Sequence, residues 1–183
     1  MASGGSEANG DPRWPSISAD GRYVVFESAA DNLVPGDTND HSDVFVHDRQ
    51  TGETSRVSVA SDGTEGNGQS DEPSISADGR YVAFASEASN LVPGDTNHNY
   101  DILLHDRQTG ETVRVSVASD GTEGNGHSIE PSISSDGQYV AFTSWASNLV
   151  PGDTNDAWDV FVHDRETGET VRVSLASEGS QTD

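Results

Sequence analysis

The chain contains no cysteine and no lysine. The first absence excludes disulfides and thiolate chemistry and leaves the redox compartment unmarked. The second leaves arginine as the only permanent side-chain cation, nine residues against 32 acidic ones, for a formal net charge of −23. So acidic a surface repels phosphate backbones and anionic lipid, so neither nucleic acid nor a membrane is an expected partner. It favours cations, basic partners or a salty medium that screens self-repulsion. No apolar stretch approaches bilayer-spanning length. The opening MASGGSEANGDP has neither a basic n-region nor an apolar h-region, so no signal peptide is expected. Convincing helical periodicity is also missing. Hydrophobic residues make up only 31%, a level compatible with disorder, but they alternate cleanly in short recurring runs, which is the mark of strands.

Those runs repeat. PSISADGRYV begins at Pro15 and Pro73, and PSISSDGQYV at Pro131, a period of 58 residues. The second and third copies agree at roughly three-quarters of aligned positions, more than a shared fold demands. A repeat of this length cannot bury its own hydrophobic face, so neighbouring copies must stack. Each copy divides into four β segments, which in the first are residues 15–18, 23–28, 43–49 and 54–60. An Asp-Gly hairpin turn is expected between the first two, and the long loop 29–42 carries the type II turn signal Pro35-Gly36. The partition is an N-terminal linker at 1–14, blades at 15–60, 61–118 and 119–176 (the latter two including their linkers), and a tail at 177–183. The expected fold is all-β, with four antiparallel strands per radially repeated unit, as in a β-propeller blade. A β-helix would show shorter rungs, and an immunoglobulin-type sandwich would not repeat at this period.

The motif PSISADGRYVAF, with DVFVHDRETGETVRVS in the third copy, resembles the TolB-like propeller repeat, a relative of the WD-repeat blade. The resemblance covers essentially the whole chain, with HDR standing where a WD dipeptide is usual. It implies four-stranded blades, usually six or more to a ring, and a binding or scaffolding role, sometimes beside a hydrolase. It also implies a secreted or periplasmic natural parent. Three blades leave two apolar faces bare, and the expected solution is a homodimer closing a six-bladed ring, the third blade of one copy on the first of the other. Residues 177–183 align with 3–9, so in a closed ring the two segments compete for one linker path and one should be displaced.

The copies differ mainly at one end of each unit. The linker ends read DPRW, QSDE and HSIE; the exits of the second segments place Glu27, Glu87 and Trp145 at variable positions; and His41, Tyr100 and Trp158 vary in the long loops. Arg13, Trp14, Glu27, His41, Asp71, Glu72, Glu87, Tyr100, Glu130, Trp145 and Trp158 are therefore the candidate ligand-binding face, for a small molecule, glycan or peptide. Packing differences between blades and neutral drift of loop ends are the competing readings.

The motif PGDTN-x-x-x-D sets Asp37, Asn39 and Asp43, then Asp95, Asn97 and Asp101, then Asp153, Asn155 and Asp159, at repeating positions. Alternating oxygen ligands suit calcium, although no DxDxDG run or bidentate Glu is present, and Asx turns explain the same residues. His47, His105 and His163 recur in the third segment and are expected to bond between blades, as are Arg49, Arg107 and Arg165. No GxSxG elbow, HExxH or P-loop occurs, so enzyme activity is not expected, and no cofactor is required, calcium aside. The reading is a non-catalytic propeller scaffold or binding module that self-assembles. The alternative is a purely structural unit, excised or designed, with no ligand.

Overall fold

Alternating apolar residues sort into twelve strands in a computed structural model that describes residues 7–177 and holds no helix among them. The strands are β1 (Arg13–Ile17), β2 (Tyr23–Ser28), β3 (Asp43–Asp48), β4 (Thr54–Arg56), β5 (Ser70–Ile75), β6 (Tyr81–Ser86), β7 (Asp101–Asp106), β8 (Glu111–Arg114), β9 (Ser128–Ile133), β10 (Tyr139–Ser144), β11 (Asp159–Asp164) and β12 (Thr170–Arg172). Each consecutive four makes one antiparallel sheet in chain order, so no strand is exchanged between repeats. The first strands β1, β5 and β9 pack on one another in turn, which sets the three sheets side by side as propeller blades with their first strands innermost. The competition expected between residues 3–9 and 177–183 falls largely outside the described residues.

Two strand ends depart from the sequence reading. The fourth strands are shorter, because Ser58 interrupts the ladder: its hydroxyl accepts from the Val44 N–H (3.0 Å) and donates to Asp43 Oδ1 (2.5 Å). The first strands begin earlier and carry a bulge, since Arg13 pairs with Glu27 but Ser16 with Val25, one residue too many on β1. The same irregularity recurs in β5 and β9. It places Trp14, Glu72 and Glu130 in the left-handed region, at φ 52, 50 and 55°. The β1–β2 turn also differs from a two-residue hairpin, because positive φ is confined to Gly21 and the Gly21 N–H bonds the Ser18 carbonyl. This is a type I turn closed by a left-handed glycine.

The core lies between blades. One cluster joins Val25, Val44, Val46 and Val57 of the first blade to Ile75, Val82, Phe84, Leu91 and Leu103 of the second. The next joins Ala83, Ile102, Leu104 and Val115 to Val140, Phe142, Leu149 and Phe161 of the third. The middle strands of the second blade are thus covered on both faces, which explains the nearly continuous apolar runs of β6 and β7. At the turn end a second device recurs. Tyr23 packs under Gly79 of the next blade while the Arg107 guanidinium stacks on the same ring at 4.2 Å, and Tyr81, Gly137 and Arg165 repeat the arrangement.

Equivalent residues show what a neighbour contributes. Val44 and Ile102 are fully buried, yet Val160 at the same position of the third blade is 39% exposed. Val57 and Val115 are 1% exposed and Val173 is 50%. At the other end Ile17 is 56% exposed where Ile75 is 7%. Covering each such side chain is worth roughly 1 kcal/mol. Gly79 tests the turn-end contact, since a Cβ there would stand 2.2 Å from the Tyr23 ring, while one on Gly110, at similar φ, meets nothing within 4 Å. In urea unfolding, Gly110→Ala should cost about 1 kcal/mol of backbone strain and Gly79→Ala roughly 3 kcal/mol or more; equal losses would remove the packing role of Tyr23.

Candidate functional site

Strand register puts the positions that differ most between copies at one end of the blades. Arg13 pairs with Glu27 and Ser28 with Asp43, whereas the repeated turns follow the Ile17–Val24 and His47–Thr54 pairs at the opposite end. Among the described residues, the six non-glycine residues with left-handed φ lie at the variable end: Trp14, Asp40, Glu72, His98, Glu130 and Asp156. Each costs about 1–3 kcal/mol of backbone strain, and such strain concentrates at functional sites.

The bulges aim Trp14, Glu72 and Glu130 at one another, and with Pro15, Pro73 and Pro131 they line a mouth of about 310 Å³ where the inner strands meet. Glu72 Oε2 accepts from the Glu130 N–H at 2.7 Å, tying two blades at this mouth. Trp14 is 58% exposed. In the third blade Trp145 and Trp158, 53% and 45% exposed, face each other with ring centroids 6.0 Å apart. Beside Trp145 opens a cleft of about 340 Å³, lined also by Asn99, His127, Asp153 and Asp156. His41 stands exposed on its own loop, its N–H held by Asn39 Oδ1.

Between the first and second blades the rim is acidic. Glu27 lies beneath it, only 7% exposed, because the register sets it opposite Arg13 and under the second blade. Burial, reinforced by Asp71, raises the Glu27 carboxyl above its ordinary range. Burial raises Asp71 too, although Gln69 Nε2 donates to its Oδ2 at 2.7 Å and the Tyr100 hydroxyl also bonds it. Tyr100 itself is pushed up to about 12 by burial and by Asp71, Glu87, Glu27 and Glu72. Proximity therefore unites Glu27, Asp71, Glu72, Glu87 and Tyr100 electrostatically, while the tryptophan pair forms a separate patch.

The PGDTN loops surround an arginine. Arg56 Nη1 lies 3.2 Å from Asp37 Oδ1, 2.9 Å from Asp43 Oδ2 and 2.6 Å from Glu65 Oε1. Arg114 stands likewise among Asp95, Asp101 and Glu123, and Arg172 between Asp153 and Asp159. Asn39 turns its amide nitrogen toward Asp43 (3.0 Å) and the Gly66 carbonyl (3.1 Å), and Asn97 and Asn155 face Asp101 and Asp159 the same way. The positive charge that these carboxylates need is thus supplied by the protein, and calcium would have to displace it. With three carboxylates to one guanidinium their affinities for protons separate. Burial and Asp43 push Asp37 up to about 6, whereas Glu65, despite burial, is held at about 2 by the Thr38 N–H and hydroxyl and by Arg56. Burial likewise pushes Asp101 up to about 6.

Glu65 belongs to the linker. Its carboxylate accepts from the Thr38 N–H and Oγ1, both at 2.8 Å, in the first blade, while its own carbonyl accepts from Asn90 Nδ2 (2.8 Å) in the second. Glu123 repeats this between the second and third blades. The linker glutamate is therefore a clasp between blades. Sequence reading missed it and its arginine, although both recur at the 58-residue period.

The repeated histidines bond inside their own blades: His105 Nδ1 meets Thr112 Oγ1 at 2.9 Å, and Thr112 Oγ1 donates to the Val59 carbonyl of the preceding blade at 2.5 Å. A hydroxyl has one proton, so His105 carries its own on Nδ1. His163, Thr170 and Val117 repeat the relay. Burial lowers the affinity of His47, His105 and His163 for a second proton. Arg107 donates within its blade to the Gly79 carbonyl and reaches the first blade only through the Tyr23 ring.

No protein-family model and no curated protein matches the chain. Solved structures do. A protein assigned as TolB from Agrobacterium tumefaciens matches with a TM-score of 0.58 at 20% identity, over 88% of this chain and 48% of that one. An oligogalacturonate lyase in complex with manganese gives 0.57 at 16%, over 92% and 43%. The β-propeller domain of the Trilobed protease from Pyrococcus furiosus, described as an open velcro topology, gives 0.55 at 13%, over 88% and 41%. These likenesses establish a β-propeller fold of the kind found in TolB, and this chain spans about half or less of each protein's length.

The clasp has a pH signature. Glu65 is bound to fewer protons folded than unfolded, so its contribution is complete above the unfolded value of 4.5 and is lost as pH falls toward about 2. Glu65→Gln should lower stability by about 1–3 kcal/mol at neutral pH, and the gap from the unsubstituted chain should close on acidification. Urea unfolding across a pH series measures it; a gap that stayed constant to the acid end would rule out the ionised clasp.

Proposed function

We propose that the chain is a non-catalytic β-propeller module that seals its end faces with like blades and binds a ligand at its variable end. One observation carries the reading: all three tryptophans of the chain are about half exposed, and all stand at the one end where the blades differ. Rigid aromatic rings lose little conformational freedom on binding and offer large contact areas, so they are favoured anchors. The Trp145–Trp158 pair with its flanking Asn and Asp groups suits a neutral or cationic partner, such as a glycan, small molecule or basic peptide. The net charge of −23 argues against a polyanion.

Support for a non-catalytic role comes from the commitments of the reactive groups. The histidines at 105 and 163 are bound to threonines that donate to backbone, and Arg56, Arg114 and Arg172 sit within the carboxylate groups. The lyase and protease among the structural neighbours match this chain over less than half of their lengths, and their chemistry is not carried over. Titration of tryptophan fluorescence with neutral oligosaccharides and with basic peptides tests the reading. Paired Trp145→Ala and Trp158→Ala substitutions should weaken the response at least about tenfold while leaving stability within roughly 1 kcal/mol, as expected of exposed side chains. Lost stability with unchanged binding would instead mark the pair as packing.

A further inference from the structure

The turn-end tie between blades is built twice within the chain and half-built on each outer blade. Tyr23 packs under Gly79 with Arg107 over its ring, and Tyr81 packs under Gly137 with Arg165, each guanidinium 4.2 Å from the ring centroid. A backbone bond accompanies each tie. The Ala19 N–H donates to the Ala77 carbonyl at 2.9 Å, and the Ala77 N–H to the Ser135 carbonyl at 3.0 Å. The third copy of the tyrosine is Tyr139, 42% exposed, whereas Tyr23 and Tyr81 are half-buried. The first copy of the arginine is Arg49, exposed where Arg107 and Arg165 are half-buried. Among the described residues no guanidinium lies over Tyr139 and no ring lies under Arg49. Among them, too, the Ser135 N–H and the Ala19 carbonyl have no backbone partner. A Cβ on Gly79 or Gly137 would stand 2.2 or 2.3 Å from a tyrosine ring, but one on Gly21 meets nothing nearer than 3.7 Å. Both halves lie at the turn end, from which β12 runs away, Thr170 pairing with His163 and Arg172 with Phe161.

We infer that a second copy of this chain joins the two halves: the partner's Gly21 covers the Tyr139 ring, the partner's Arg49 stacks on it, and the Ser135 N–H donates to the partner's Ala19 carbonyl. The reciprocal contact closes a ring of two copies. This rests on the sealing of end faces proposed above and names the contact that sets its register. A second copy is the fitting occupant because the unused halves are equivalent parts of an interface that the chain already forms twice. The apolar positions around them are bare in the same way. Ile17 is 56% exposed where Ile75 is 7%, and Val160 is 39% exposed where Val44 and Ile102 are fully buried. The arginine half is already assembled. Arg49 Nη1 donates to the Gly21 carbonyl at 2.8 Å, as Arg107 Nη1 does to Gly79 at 2.5 Å, so docking has little left to order there. Arg22 and Arg80 stand 4.7 Å from the rings of Tyr23 and Tyr81, but position 138 is glutamine, which makes the partner's Arg49 the cation that the Tyr139 ring receives. The charge fits as well: on a chain of −23, a junction that seats a guanidinium on a neutral ring adds no carboxylate to the repulsion between copies.

Light scattering over a concentration series, with Gly21→Ala, Arg49→Ala and Gly110→Ala beside the unsubstituted chain, tests the inference. The unsubstituted chain should approach twice its 19.3 kDa mass, and Gly110→Ala should dimerise as it does. Gly21→Ala should melt, at monomeric dilution, no lower than Gly110→Ala, because its Cβ has room in the single chain. In the dimer that Cβ strikes Tyr139, so association should be lost. Arg49→Ala should weaken the dimer about tenfold or more, since the ring holds the stack twice, with monomer melting unchanged because Arg49 is exposed. A chain that stays monomeric throughout overturns the sealing by like blades and this contact together. Dimers with the same dissociation constant in Gly21→Ala and Arg49→Ala overturn the contact while leaving the sealing standing, and a mass of three or more copies overturns the two-copy ring.

Discussion

Most of a blade's apolar face is buried by another blade. Within one sheet the side chains of the middle strands project to both faces, and the chain has no helix among its described residues to cover them. The protein's stability is therefore a property of junctions rather than of repeats. Identical valines are sealed or bare according to whether a neighbour is present, as Val57, Val115 and Val173 show. This nearest-neighbour dependence is what a linear array of repeats requires.

Around that hydrophobic contact each junction adds polar and aromatic ties at every level of the blade. At the turn end an arginine stacks on the tyrosine of the preceding blade. At the outer strand a threonine hydroxyl, backed by a histidine, donates to the preceding carbonyl. At the variable end the linker glutamate reaches back to an arginine and a threonine. None of these ties uses the positions where the copies differ most. That separation leaves Trp14, Trp145 and Trp158 free to vary without loosening the array.

Much of this was legible in the sequence. The period, the four strands per copy and the grouping of variable positions at one end follow from spacing and alternation alone, and the match to solved propellers agrees with the fold. What could not be read were features in which a side chain stands in for backbone or reaches another repeat. Ser58 ends β4 by taking over a ladder bond, and its pattern in sequence is still that of a strand. Glu27 varies like a surface residue, yet the bulge in β1 and the cover of the second blade withdraw it. The PGDTN motif displays its carboxylates locally, while the arginine they hold comes from the fourth strand and the third carboxylate from the linker. Spacing within a motif carries no trace of a partner so far along the chain.

Sealing of the end faces is the claim on which the closed ring depends, and amide hydrogen exchange at β11 and β12 reads it directly. At concentrations where copies associate, these amides should become as slow to exchange as their equivalents in β3, β4, β7 and β8, and should lose that protection on dilution. Exchange at β11 and β12 that stays fast at every concentration, while the inner junctions remain protected, would contradict it.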